Sequence, residues 1–217
     1  MSKLLAFLGA AALAGGLIFP AAAQEIAPDQ LVQKITDEVL AAIKSDKQLA
    51  AGDKQKALKL AEEKVLPYID FEQATRLAVG RAWSQASPEQ KKRLVGEFRN
   101  MLVRTYSNAI EAYQGQTLKV LPARGKQDPE DTTVRTQFIR AGGQPLPIEF
   151  HMRQTDKGWK VYDIVVEGVS LVLTYRSEFD AVVKQEGIDG LIKRLAQKNI
   201  PAAIGGSAPK SETKSSK

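Results

Sequence analysis

I-E-F-H-M-R-Q-T-D-K-G-W-K-V-Y-D-I-V-V-E-G, residues 148–168, is the stretch on which the fold turns. Ile148, Phe150 and Met152 alternate with Glu149, His151 and Arg153, the period of two that marks a strand with one face buried. Thr155-Asp156-Lys157-Gly158 reads as a tight turn, and Trp159 to Glu167 as the returning strand. Short turns between such runs predict antiparallel hairpins. Val161, Ile164, Val165 and Val166 leave the returning strand apolar on both faces for much of its length. An antiparallel sheet with one wet face has no need of that, so the rest of the chain must supply what the extra apolar surface meets.

Upstream, Thr132 to Arg140 alternates with Val134, Thr136 and Phe138 on one face, and Thr117 to Leu121 is a shorter strand. Ala141 to Gln144 is a turn. Before them the period is helical. Leu31, Val32, Ile35, Val39, Ala42 and Ile43 form one stripe; Ala57, Leu58, Ala61, Val65 and Leu66 form a second, stopped by Pro67. Asp46 to Asp53, between them, is polar and reads as a turn. Asp70, with Gln73 three residues on, caps a third helix that Gly80 ends. Ser87-Pro88-Glu89-Gln90 is the strongest helix start, with serine at the cap, proline at the first helical position and glutamine able to reach back. That helix is expected to run to about Tyr113. Downstream, Gly168 ends the strand, Ser170 caps a helix with the stripe Val172, Tyr175, Phe179, Val182 and Val183, and Gly187 closes it. Ile188, Leu191, Ile192 and Leu195 mark a last helix. The fold class is α+β: helices, an antiparallel sheet of about four strands, then helices that return to cover it.

Met1 to Ala23 has a positive start, an apolar run and a small-residue end, and predicts a secretory signal peptide cleaved after Ala23. Residues 24–200 then form one α+β domain, and the Ala/Gly/Ser/Lys-rich stretch 201–217 a disordered tail. The 217-residue chain contains no cysteine, so an exported product is stabilised by packing alone, and thiolate chemistry is excluded. Its net charge of +6 suits a surface of anionic headgroups or a generic solvated surface, and nucleic acid is not an expected partner. Catalytic signals are weak. His151, the single histidine, alternates onto the polar face of its strand. Gly168-Val169-Ser170 begins a nucleophile-elbow pattern that fails at Val172. The carboxylates cluster on solvated helix faces and loops, and there is neither a metal-ligand set nor a phosphate-binding glycine motif.

Four stretches carry a resemblance: V-L-P-Y-I-D-F at residues 65–71, A-V-G-R-A-W at 78–83, S-P-E-Q-K-K-R-L at 87–94, and W-K-V-Y-D-I-V-V-E-G-V-S-L at 159–171. Y-R-S-E-F at 175–179 and G-I-D-G-L at 187–191 follow in order. Together, from about Asp29 to Asn199, the chain resembles the periplasmic phospholipid-shuttle family of Gram-negative bacteria, the MlaC or toluene-tolerance type. It departs at Thr174, where relatives often carry asparagine. The resemblance implies a monomeric carrier, not an enzyme, with an apolar cavity between sheet and helices and no cofactor beyond a diacyl phospholipid as cargo. It also implies an outer-membrane lipoprotein complex and an inner-membrane ABC transporter as partners, in maintaining outer-membrane lipid asymmetry.

Such a task sets a physical demand. Exposing acyl chains to water costs about 0.8 kcal/mol per CH₂, so two chains of roughly 16 carbons cost on the order of 25 kcal/mol. A carrier must enclose them, while the headgroup can stay wet. Candidate lining on the long helix is Phe98, Met101, Leu102, Tyr106 and Ile110. On the sheet it is Phe138, Ile148, Phe150, Met152, Val161, Ile164 and Val166, with Tyr175 and Phe179 closing the side. The same residues could fill a solid core instead, which would suit a periplasmic protein-binding module without lipid.

Overall fold

The computed structural model describes residues 26–106, 116–123, 128–139 and 142–199. The expected signal segment, the expected tail and the expected continuation of the long helix toward Tyr113 lie outside the described residues.

The helical half forms where the caps permit. α1 (Pro28–Ser45) begins with proline in its first turn and Asp29 beside it, where a helix N-terminus favours both. The Asp46–Asp53 stretch is not the simple turn expected. Asp46 accepts the N–H groups of Gln48 and Leu49 and so starts a single helical turn, α2 (Lys47–Ala50). Asp53 does the same for Gln55 and Lys56 and starts α3 (Lys54–Lys64). A 3₁₀ turn at Leu66–Tyr68 comes next. α4 (Phe71–Val79) has Asp70 as its cap, accepting from the Gln73 N–H at 2.9 Å. α5 (Ala82–Gln85) is one turn. α6 (Pro88–Tyr106) opens with a reciprocal capping box: Gln90 N–H donates to Ser87 Oγ at 3.1 Å, and Ser87 N–H donates to Gln90 Oε1 at 3.0 Å.

The sheet is a five-stranded antiparallel meander in the order β1 (Thr117–Val120), β2 (Asp131–Ile139), β3 (Leu146–Thr155), β4 (Gly158–Val166), β5 (Val169–Ser170). The fifth strand is the one the sequence hides, because it is two residues long. Glu167 (φ 52°) and Gly168 (φ 82°) both take the left-handed conformation of a tight hairpin turn and fold the chain straight back on β4. Ser170 still acts as a cap: its Oγ accepts from the Leu173 N–H at 2.9 Å, ahead of a 3₁₀ turn at Leu173–Tyr175. The last element, α7 (Arg176–Asn199), breaks at Gly187 (φ 71°, ψ −177°), where two helical halves meet.

One irregularity decides which side chains share a face. β3 and β4 pair as Phe150 with Ile164 and His151 with Asp163, but Met152 pairs with Val161, leaving Tyr162 as an extra residue. This bulge puts Val161 with Met152, and Ile164 with Phe150, in one apolar cluster, although strict alternation would separate Val161 from Ile164.

Among the described residues, three apolar clusters hold the fold together. Leu31 and Val32 of α1 pack on Val134, Met152 and Val161 of the sheet. Ile43, Leu49, Ala57 and Leu60 join α1, α2 and α3. Leu94, Phe98 and Met101 of α6 meet Phe179, Leu191, Ile192 and Leu195 of α7, with Ala74 and Ala78 of α4 alongside. Phe98 makes edge-to-face contacts with Tyr175 and Phe179 at 5.5 and 5.4 Å between ring centres.

Candidate functional site

The α1–α3 cluster and the α4–α7 cluster are separate, and a cleft lies between them. α3 supplies Leu58 and Ala61, its C-cap supplies Val65, and the turn after it supplies Leu66 and Ile69. α4 supplies Phe71 and Ala74, and α6 supplies Leu102, Val103 and Tyr106. The sheet contributes β4 from Val161 to Ile164, with Leu171 and Val172 beyond β5.

Strand pairing explains why the cleft opens here. β5 pairs only with Val165 and Val166, and Ile69 forms a single bridge to Val161. Asp70 N–H donates to the Val161 carbonyl at 2.8 Å and Leu171 N–H to that of Ile164 at 2.9 Å. Between these two anchors the outer edge of β4 meets helices instead of a strand. The second apolar surface of the 158–172 stretch is part of this wall.

The cavity measures about 260 Å³. Among the described residues its side-chain walls are carbon except at Tyr106, Tyr162 and Asp163. Asp163 is buried and fully engaged: Ser170 Oγ–H donates to one carboxylate oxygen at 2.5 Å, and Val172 N–H donates to the other at 3.2 Å. It thereby pins the segment that carries Leu171 and Val172. Burial, followed by the neighbouring Tyr175 hydroxyl, pushes the Tyr106 phenol well above its ordinary pKa. Burial and then the hydrogen bond to Asp131 raise that of Tyr162 to about 12. Both phenols are neutral at physiological pH. The geometry is that of an oily slot with little polar recognition inside it.

Four of the residues selected from sequence, Leu102, Tyr106, Val161 and Ile164, stand on this wall. Phe98, Met101 and Phe179 are buried in the α6–α7 cluster, against which Tyr175 packs. Phe150 and Met152 lie in the cluster beneath α1. Phe138 pairs with Leu146 and Leu118, and Ile148 pairs with Val166; these three, Phe138, Ile148 and Val166, are half-buried on the sheet. Ile110 lies outside the described residues. Sequence reasoning did not select Leu58, Ala61, Val65, Phe71 or Ala74. The available signal was that α3 is apolar in two directions: Ala57 and Leu60 face α1, while Leu58 and Ala61 face the cleft.

Ser170 and His151 do not form a catalytic pair among the described residues. The serine hydroxyl is committed to Asp163 and to capping, while His151 meets Glu149 at 3.9 Å and the edge of the Tyr162 ring. No group of three or more His, Cys, Asp or Glu is placed to hold a metal ion among the described residues. No described helix is long and apolar enough to cross a membrane.

The family model described as "MlaC protein" matches residues 33–197. The chain is 26% identical over 184 residues to the intermembrane phospholipid transport system binding protein MlaC of Haemophilus influenzae, covering 83% of this chain and 86% of that one. It is 25% identical over 163 residues to the toluene tolerance protein ttg2D of Pseudomonas putida, covering 75% of each. Among solved structures, the phospholipid-binding protein from Ralstonia solanacearum, in complex with a phospholipid, superposes with a TM-score of 0.70 at 37% identity, covering 78% of this chain and 94% of that one. A model matched across most of the domain, and a relative of the same fold above one-third identity, lead to one conclusion: the chain belongs to the MlaC family.

Proposed function

We propose that this protein carries phospholipid, with acyl chain buried in the cleft between α3, α4, α6 and β4 and the headgroup at its mouth. The observation that carries the reading is the cleft's lining: among the described residues it has sixteen, of which only Asp163 is a charged type, already tied to protein hydrogen bonds. A wall of that kind removes hydrocarbon from water at about 25 cal/mol per Å² of apolar surface and offers no group for bond-breaking. The names of the relatives, one an intermembrane phospholipid transport binding protein and one solved with phospholipid bound, support the same cargo.

On this reading the chain is exported after cleavage at Ala23. It moves lipid through the periplasm as a monomer, between an outer-membrane lipoprotein complex and an inner-membrane ABC transporter. The outcome is maintenance of outer-membrane lipid asymmetry. The task needs no catalytic residue and no cofactor.

The test is mass spectrometry of organic extracts from natively purified protein, paired with uptake from vesicles of defined composition. Stoichiometric phospholipid is expected. Lipid-free protein that takes up nothing from vesicles would replace the carrier with a protein-binding module.

A further inference from the structure

We propose that Lys54, Arg99 and Arg104 form a phosphate-binding groove at the mouth of the cleft, which holds the phosphodiester of the cargo lipid. This deepens the carrier reading and rests on it. A second cavity of about 440 Å³ adjoins the apolar cleft and shares two wall residues with it, Leu58 and Val103. Its other walls are Lys54, Gln55, Glu62, Arg99, Asn100 and Arg104, three cations against one carboxylate. Among the described residues the cleft wall contains no lysine or arginine. Positive charge is therefore absent where chains would lie and gathered immediately next door.

The position of the mouth supports this arrangement. Leu58 and Tyr106 are the exposed large apolar residues of the cleft, at 37% and 39%, so the opening faces α3 and the end of α6. Leu58 is also one of the two residues the basic groove shares. The Arg99 guanidinium lies 5.6 Å above the ring of Phe71, which lines the cleft, so this cation stands at the border of the two cavities. Among the described residues its side chain makes one long hydrogen bond, 3.4 Å to the adjacent Asn100, and no ion pair. The rest of its planar fork is available to an anion. A phospholipid carries its phosphate one glycerol carbon from the ester-linked chains. Chains seated in the cleft bring the phosphate to this rim, and guanidinium groups match phosphate oxygens in pairs.

The test separates headgroup recognition from chain burial. Zwitterionic phosphatidylcholine vesicles carry two probes with the same pyrene-labelled chains, one a phosphatidylcholine and one a diacylglycerol that lacks the phosphate. The readout is the ratio of the two probes taken up by the full mature protein. The wild type is expected to favour the phosphatidylcholine, and Arg99→Gln with Arg104→Gln to lower the ratio by about tenfold, with total uptake of diacylglycerol retained as the control for folding. Arg99→Lys, which keeps the charge but not the fork, is expected to restore part of the preference. Normal total uptake with an unchanged ratio overturns the groove and leaves the carrier reading intact. An unchanged ratio with weakened binding to an acidic membrane-complex protein reassigns the groove to that partner. Binding of inorganic phosphate to lipid-loaded protein, seen by phosphorus NMR and lost in the double variant, makes it a free-anion site and also overturns the proposal. No uptake of either probe by the wild type sinks the carrier reading, and the groove with it.

Discussion

Two apolar positions, one on α6 and one on α3, show how differently such residues serve this protein. Phe98 is fully buried and ringed by Tyr175 and Phe179, whereas Leu58 faces the cleft and stays 37% exposed. Phe98→Ala should therefore leave a void in a close-packed cluster and lower unfolding free energy by about 3–5 kcal/mol. Leu58→Asp should cost less, about 1 kcal/mol, because the side chain is only partly removed from water. On the carrier reading it should nevertheless weaken phospholipid retention severalfold, because a carboxylate would then stand on the proposed chain path. Denaturant melts and lipid-to-protein ratios after vesicle uptake measure both effects. Retention unchanged in Leu58→Asp would remove α3 from the cargo path.

At the scale of elements, the break in α7 is the sharpest backbone feature. Gly187 has φ 71° and ψ −177°, a region that residues with a Cβ scarcely enter, and nothing lies within 4 Å of the position a Cβ would take. Gly187→Ala should thus cost about 1–3 kcal/mol through the backbone alone, read as a lower urea midpoint with an unchanged slope. This break was legible in the sequence, because a glycine between two helical stripes has few other readings. The capping box at Ser87 and the caps at Asp70 and Ser170 were legible for the same reason: each is a local exchange of hydrogen bonds among residues a few positions apart. The β3–β4 bulge was not. It depends on a register between two strands, and period-two counting has no means of skipping Tyr162. The cleft was half legible. Apolar excess in β4 and α6 announced that something greasy was needed, and Leu102, Tyr106, Val161 and Ile164 do stand on its wall. Which of the remaining apolar residues fill clusters and which face space depends on how α3 sits against α6, and no local pattern encodes that.

Across the whole molecule, α1–α3 and α4–α7 have separate apolar clusters, α1 also packs on the sheet, and the cleft is the seam between the two helical groups, walled by β4. Ligand clefts generally run about 300–1,000 Å³, so a seam of about 260 Å³ must widen to admit two whole chains. Tying its lips together should stop it. In a protein without native cysteine, Leu58→Cys with Val103→Cys offers a unique pair on the shared rim. A short thiol-cleavable bis-maleimide across the pair is expected to suppress lipid uptake from vesicles, and cleavage of the linker to restore it; the uncross-linked double variant serves as the reference. Uptake at the full rate in the linked protein would show that cargo enters elsewhere. A container hollowed from a single core sizes its contents by the methylene, since every added carbon displaces a packed neighbour. One bounded by two separately packed helical groups adjusts by letting them shift against each other, so discrimination among fatty acids of different length and unsaturation should be shallow.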